Sequence, residues 1–146
     1  MESAKISTLS ASLSLIADLL EGRFGLDALW VFGSEAQGTA GIESDLDLAA
    51  LFRRAPTATE LLDARLEIAA SLSRDVDLVD LDRASPILVM QVLRHGRLVL
   101  DHEPAHRHRL LASAPGRYED LMITRREAEQ ALLQRVRGGG PRRRSR

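Results

Sequence analysis

The sequence predicts an α/β (α+β) domain, a small mixed sheet flanked by helices, on three observations. Apolar residues switch between the three-to-four spacing of a helix and short continuous runs of the kind found in buried strands. Glycine and proline stand at the switches. The resulting order is helix, strand, strand, helix, strand, helix and then C-terminal helices, without an internal repeat.

Ile6, Leu9, Leu13, Ile16 and Leu20 recur on one helical face, and that first helix should end near Gly22 to Gly25. Residues 26–33, "LDALWVFG", concentrate Leu, Trp, Val and Phe and stop at glycine, as a buried strand does. Residues 45–52, "DLDLAALF", read as a second strand, and Gly38 and Gly41 mark turns in the polar connection between the two. Thr57 and Glu60 are spaced as a capping box ahead of a helix over about 59–74, whose stripe is Leu62, Leu66, Ala69 and Leu72. "VDLVDL", residues 76–81, is the third strand. Ser85 as N-cap, Pro86 in the first turn and Gly96 as the stop delimit a third helix, and "RLVLD" follows as an edge strand. From 104 to 137 the pattern is helical but interrupted by Pro115-Gly116, so a helix is expected on each side, the second carrying Leu121, Ala128 and Leu132.

With 146 residues, 45% of them hydrophobic, the chain suits one core, and a single domain over 1–137 is predicted. Twenty basic against 21 acidic groups give a net charge of −1, so no global field draws the protein to nucleic acid or to a membrane, and no specific nucleic-acid partner is expected. Five arginines in the last ten residues, beside three glycines and a proline, make 138–146 a disordered tail. The chain has no cysteine, no apolar run of the roughly 20 residues a membrane span needs, and a first helix broken by Asp18 rather than a signal peptide, which together point to the cytoplasm.

The chemistry lies in "VFGSEAQGTAGIESDLDLAALF", residues 31–52. Carboxylates at Asp45 and Asp47 interrupt an apolar run, where an unpaired buried charge is costly. Strand residues at i and i+2 share a face, so the two acids point the same way and repel unless they share a cation. Mg²⁺ suits them, because it takes one or two protein carboxylates and leaves positions for water and phosphate oxygens, and paired ions stabilise both oxygens of a displacement at phosphorus. Gly33 lets a phosphate approach the backbone, and Ser34 adds a hydroxyl donor. A site of this kind needs a third carboxylate, and among Asp75, Asp77, Asp80 and Asp82 the acid flanked by Val76 and Leu78, Asp77, is the best placed. Asp80 has the opposite parity and is expected to make turn or cap contacts.

"GSEAQG…SDLDL" followed by "VDLVDL" resembles the DNA polymerase β-like nucleotidyltransferase superfamily, and within it the minimal nucleotidyltransferase (MNT) antitoxins, whose signature is Gly-Ser, ten residues, then Asp-x-Asp. The resemblance covers about residues 24–101 and implies the nucleotidyltransferase fold. It further implies an antitoxin that transfers AMP from ATP to a tyrosine of a HEPN-domain ribonuclease toxin and so silences it, using Mg²⁺ (two ions). By position, Ser34 contacts the ATP phosphates, Asp45 and Asp47 bind both ions, and Asp77 completes the site and helps activate the acceptor hydroxyl. The chain departs from the usual Gly-Ser-x-Ala-Arg-Gly at Gln37, a neutral amide where an arginine would bring positive charge.

Rival readings are an adenylyltransferase of a small hydroxylated molecule, which commonly carries an added helical domain, and a non-enzymatic module that occludes its partner. His102, His106 and His108 lie close together but lack the HExxH pattern, and are read as solvent-exposed or partner-facing. Trp30 and Phe32 are read as core, and Tyr118 as core or interface.

Overall fold

The computed structural model describes residues 2–33, 36 and 45–139. The first helix, α1 (Glu2–Phe24), ends where Gly25 takes φ +70°, a left-handed conformation that spares it a side-chain clash, and the Gly25 N–H closes the last turn on the Glu21 carbonyl at 3.0 Å. The Glu21 carboxylate then accepts the Leu26 N–H at 2.7 Å, which starts β1 (Leu26–Phe32). The other elements are β2 (Leu46–Phe52), α2 (Ala58–Leu72), β3 (Val76–Asp80), α3 (Pro86–His95), β4 (Arg97–Asp101) and α4 (Pro104–Gly138). The capping box of α2 is formed, Thr57 Oγ1 accepting the Glu60 N–H at 3.2 Å and Glu60 Oε2 accepting the Thr57 N–H at 3.0 Å. Ser85 caps α3 in the same manner, accepting the Leu88 N–H.

The four strands lie in the order β3-β2-β1-β4. β1 is antiparallel to both β2 and β4, whereas β2 and β3 run parallel, so the sheet is mixed. Strand alternation divides the core in two. Leu29, Val31, Leu46, Leu48, Ala50, Val76 and Leu78 face Ile16 and Leu20 of α1 and Ala64 and Ile68 of α2. Ala28, Trp30, Ala49 and Leu51 face Val89 and Val92 of α3 and Leu110 and Ala114 of α4. Trp30 is 4% exposed and belongs to the core, with Phe32 packed against it.

The C-terminal region differs from the expectation of two helices, because α4 runs unbroken through Pro115. Proline removes the bond that its N–H would make to the carbonyl four residues back. Leu111 and Pro115 both lie on the exposed side, so that carbonyl is on the water-facing side of the helix, while Leu110 and Ala114 hold the helix to the core. Past residue 139 the predicted arginine-rich tail lies outside the described residues.

Candidate active site

At one end of the sheet β1 finishes while β2 and β3 begin, and the predicted acids gather there. Parallel pairing sets Asp47 opposite Asp77. Register partners on adjacent strands share a face and lie about 4.8 Å apart in the backbone. The face is the one carrying Trp30 and Ala49, covered further along by α3 and α4. Asp45 immediately precedes β2 and is exposed, Asp47 is half-buried, and the Asp77 side chain is 54% exposed. The site thus opens to solvent at the sheet end.

Asp47 is under electrostatic stress. Burial raises its pKa above the usual aspartate value, the charges of Asp77 and Asp45 raise it further, and Arg74 opposes them. On the other side, Phe32 is the antiparallel partner of Asp47, and the next residue, Gly33, adopts φ +68°. A Cβ at Gly33 would collide with Asp47 Oδ2, so glycine is required both by the backbone conformation and by the carboxylate that lies against it. Ser34 and Gln37 lie outside the described residues.

Sequence reasoning missed the role of α2 in this site. Arg65 donates its Nε–H to the Val76 carbonyl at 2.7 Å, and its Nη1 lies 3.7 Å from Asp77 Oδ1. The arginine therefore pins the start of β3 and offsets part of the charge on Asp77. No motif marks it: Arg65 stands twelve residues before Asp77, and only the turn between α2 and β3 brings the two together.

The acids fit a hard divalent cation, because two adjacent carboxylates that raise each other's cost of ionisation are relieved by one, and Mg²⁺ needs no more than one or two protein carboxylates. Among the described residues no three acids or histidines already form a ready metal cage. Remaining positions would go to water and phosphate oxygens. The arrangement can hold a metal-bound triphosphate at an open edge, with room for a second reactant on the solvent side.

Asp80, of opposite parity, is buried away from this site, and its Oδ1 accepts the Asp82 N–H at 3.1 Å, the turn contact expected of it. Burial raises its pKa, opposed by that hydrogen bond. The histidine reading needs correction for His106, which is partly buried rather than solvent- or partner-facing. Its Nδ1 lies 2.7 Å from Asp27 Oδ2 and its Nε2 2.8 Å from Asp82 Oδ2, because the first turn of α4 packs over the start of β1. His102 and His108 are exposed, His102 Nδ1 also reaching the Leu26 carbonyl.

A mixed sheet with paired aspartates at the start of two parallel strands, beside a left-handed glycine closing a third, defines a nucleotidyltransferase-type centre. The chain belongs to the polymerase-β nucleotidyltransferase family: the family described as "Polymerase beta, Nucleotidyltransferase" matches residues 15–105. Within that class it is similar to the protein adenylyltransferase MntA of Shewanella oneidensis, 42% identical over 78 residues, 49% of this chain and 52% of the relative. The chain thus spans about half the length of the curated relative it matches. A crystal structure of a toxin-antitoxin with AMP-PNP superposes with a TM-score of 0.70 at 28% identity, covering 81% of this chain and 95% of that chain. The structure of a tri-AMPylated Shewanella oneidensis HEPN toxin in complex with MNT antitoxin superposes with a TM-score of 0.69 at 23% identity, over 85% and 98% of the two chains, a likeness of fold. These likenesses fall in the MNT antitoxin branch.

Proposed function

We propose that this protein is an Mg²⁺-dependent adenylyltransferase antitoxin that moves AMP from ATP onto a tyrosine of a HEPN-domain toxin and thereby silences it. The observation that carries the reading is the in-register pair Asp47 and Asp77 at the open sheet end, with Gly33 against Asp47. The 42% identity to a protein adenylyltransferase supports the reaction, and the likeness to a toxin-antitoxin with AMP-PNP supports the nucleotide and the kind of partner.

In this reading Asp45 and Asp47 hold Mg²⁺ (two ions when the nucleotide is bound), with Asp77 as the further ligand. The metal supplies charge neutralisation on the triphosphate. Ser34 and the backbone at Gly33 receive its phosphates. The acceptor hydroxyl oxygen attacks the α-phosphorus, the bond from that phosphorus to the bridging oxygen breaks, and pyrophosphate leaves. Asp77 takes the proton of the attacking hydroxyl, a role its exposed position at the rim allows. Gln37 contributes no positive charge to the phosphate loop. Among the described residues no helix is long and apolar enough to cross a membrane, in keeping with a cytoplasmic supply of ATP.

The test is to incubate the protein with α-labelled ATP, Mg²⁺ and the HEPN protein encoded beside it. Label on a tyrosine of that protein, lost in the Asp45→Ala/Asp47→Ala variant, is expected. Label that persists in the variant, or that appears on a small hydroxylated molecule and not on the protein, contradicts the proposal.

A further inference from the structure

The far half of α4 carries a surface that the nucleotidyl-transfer reading does not use. The buried residues of α4 are Leu110 and Ala114, and every described residue from 123 to 139 is exposed. At 1.5 Å per residue the stretch from 118 to 138 is a rod about 30 Å long. A helix of that length gains little from propensity alone and ordinarily relies on covering an apolar face.

Such a face is present. Successive residues of a helix are about 100° apart. On that wheel the side that buries Leu110 and Ala114 continues through Tyr118, Leu121, Met122, Arg125, Glu129, Leu132, Leu133 and Val136. Leu132, Leu133 and Val136 are 61%, 55% and 71% exposed. Scattered surface leucines mean little, but a stripe that prolongs the core-facing side of one helix over five turns is a contact face without its cover.

The charges on the stripe select the cover. The two ionic residues inside it, Arg125 and Glu129, stand symmetrically about Glu127. A second copy of α4 laid antiparallel, with the two-fold axis level with Glu127, brings Arg125 of each copy to the level of Glu129 of the other. The same register sets Leu121 level with Leu133, Met122 with Leu132, and Tyr118 with Val136. The face is therefore self-complementary in apolar content and in charge at one register, the requirement of an isologous two-fold interface. We infer that two copies of this chain pair through the distal half of α4, as an antiparallel helix pair bridged by two Arg125–Glu129 contacts. The carboxylates lie at the sheet end, on other elements, so pairing leaves one nucleotidyl-transfer site on each copy.

Sedimentation equilibrium of the full chain tests this. The unsubstituted protein should sediment as two chains. Arg125→Glu and Glu129→Arg should each sediment as one, through like charges facing across the axis, and the double variant R125E/E129R should return to two. Leu132→Glu/Leu133→Glu should sediment as one chain with an unchanged melting transition of the sheet domain. An unsubstituted chain that remains single at every concentration overturns the inference, as does a double variant that fails to restore pairing, and either would leave the stripe to a helix of another protein.

Discussion

Asp47 and Asp77 face one another across the parallel β2–β3 pair, and the strain of that juxtaposition is measurable. Burial and the charges of Asp77 and Asp45 raise the pKa of Asp47, so the folded state holds a proton there more tightly than the unfolded chain. Ionised Asp47 therefore costs stability at neutral pH, and the cost is relieved as pH falls toward its folded value. Replacing Asp47 by Asn should stabilise the metal-free protein by about 1 kcal/mol at neutral pH, a familiar trade against activity. Denaturant unfolding should show the gap between variant and unsubstituted protein closing in mild acid.

Gly33→Ala should damage the same site by another route. The left-handed backbone costs a non-glycine residue roughly 1–2 kcal/mol, and the new methyl group would push on Asp47 Oδ2. Loss of AMP transfer with a folded sheet domain, seen by circular dichroism beside the labelling assay, is the expected result.

His106 gives the fold a pH dependence of the opposite sense. Burial alone would lower its pKa, but the hydrogen bonds to Asp27 and Asp82 and the charges of both raise it overall. Both ring nitrogens face carboxylate oxygens, so both carry protons, and Arg53 lies 3.4 Å from the other oxygen of the buried Asp27. With the folded pKa above the ordinary imidazole value of about 6.5, the stabilisation is complete below that value and is lost as pH rises through the folded pKa. His106→Ala should cost roughly 2–4 kcal/mol in mild acid, because it strands the buried carboxylate, and progressively less in alkali. Thermal melts of the two proteins across pH 5–9 measure the gap.

Pro115→Ala should stabilise α4. It restores an N–H to the helix at an exposed position and removes the ring, worth roughly 1–3 kcal/mol where nothing else depends on the proline. Urea unfolding and amide exchange across residues 111–119 check it.

Much of this was legible in the sequence because local chemistry and tertiary need agree. Thr57 with Glu60, Ser85 with Pro86, and Gly33 each mark an element end that the structure uses, and strand parity alone set Asp77 and Asp80 on opposite faces. The failures share a cause. Pro115 reads as a helix break, but burial of Leu110 and Ala114 on the opposite side carries the helix past it. His106 reads as exposed because the acids that bracket it, Asp27 and Asp82, lie far off in the chain. Arg65 beside Asp77 is likewise a product of how α2 packs on β3, for which the sequence has no spacing rule.

Calorimetric titration with ATP, with and without Mg²⁺, tests most directly the claim that Asp47 and Asp77 form a shared cation site for a nucleotide. The account predicts a binding heat for the unsubstituted protein that requires Mg²⁺ and disappears in Asp47→Asn and Asp77→Asn. Equal binding without metal, or undiminished Mg²⁺-dependent binding in both variants, would contradict it.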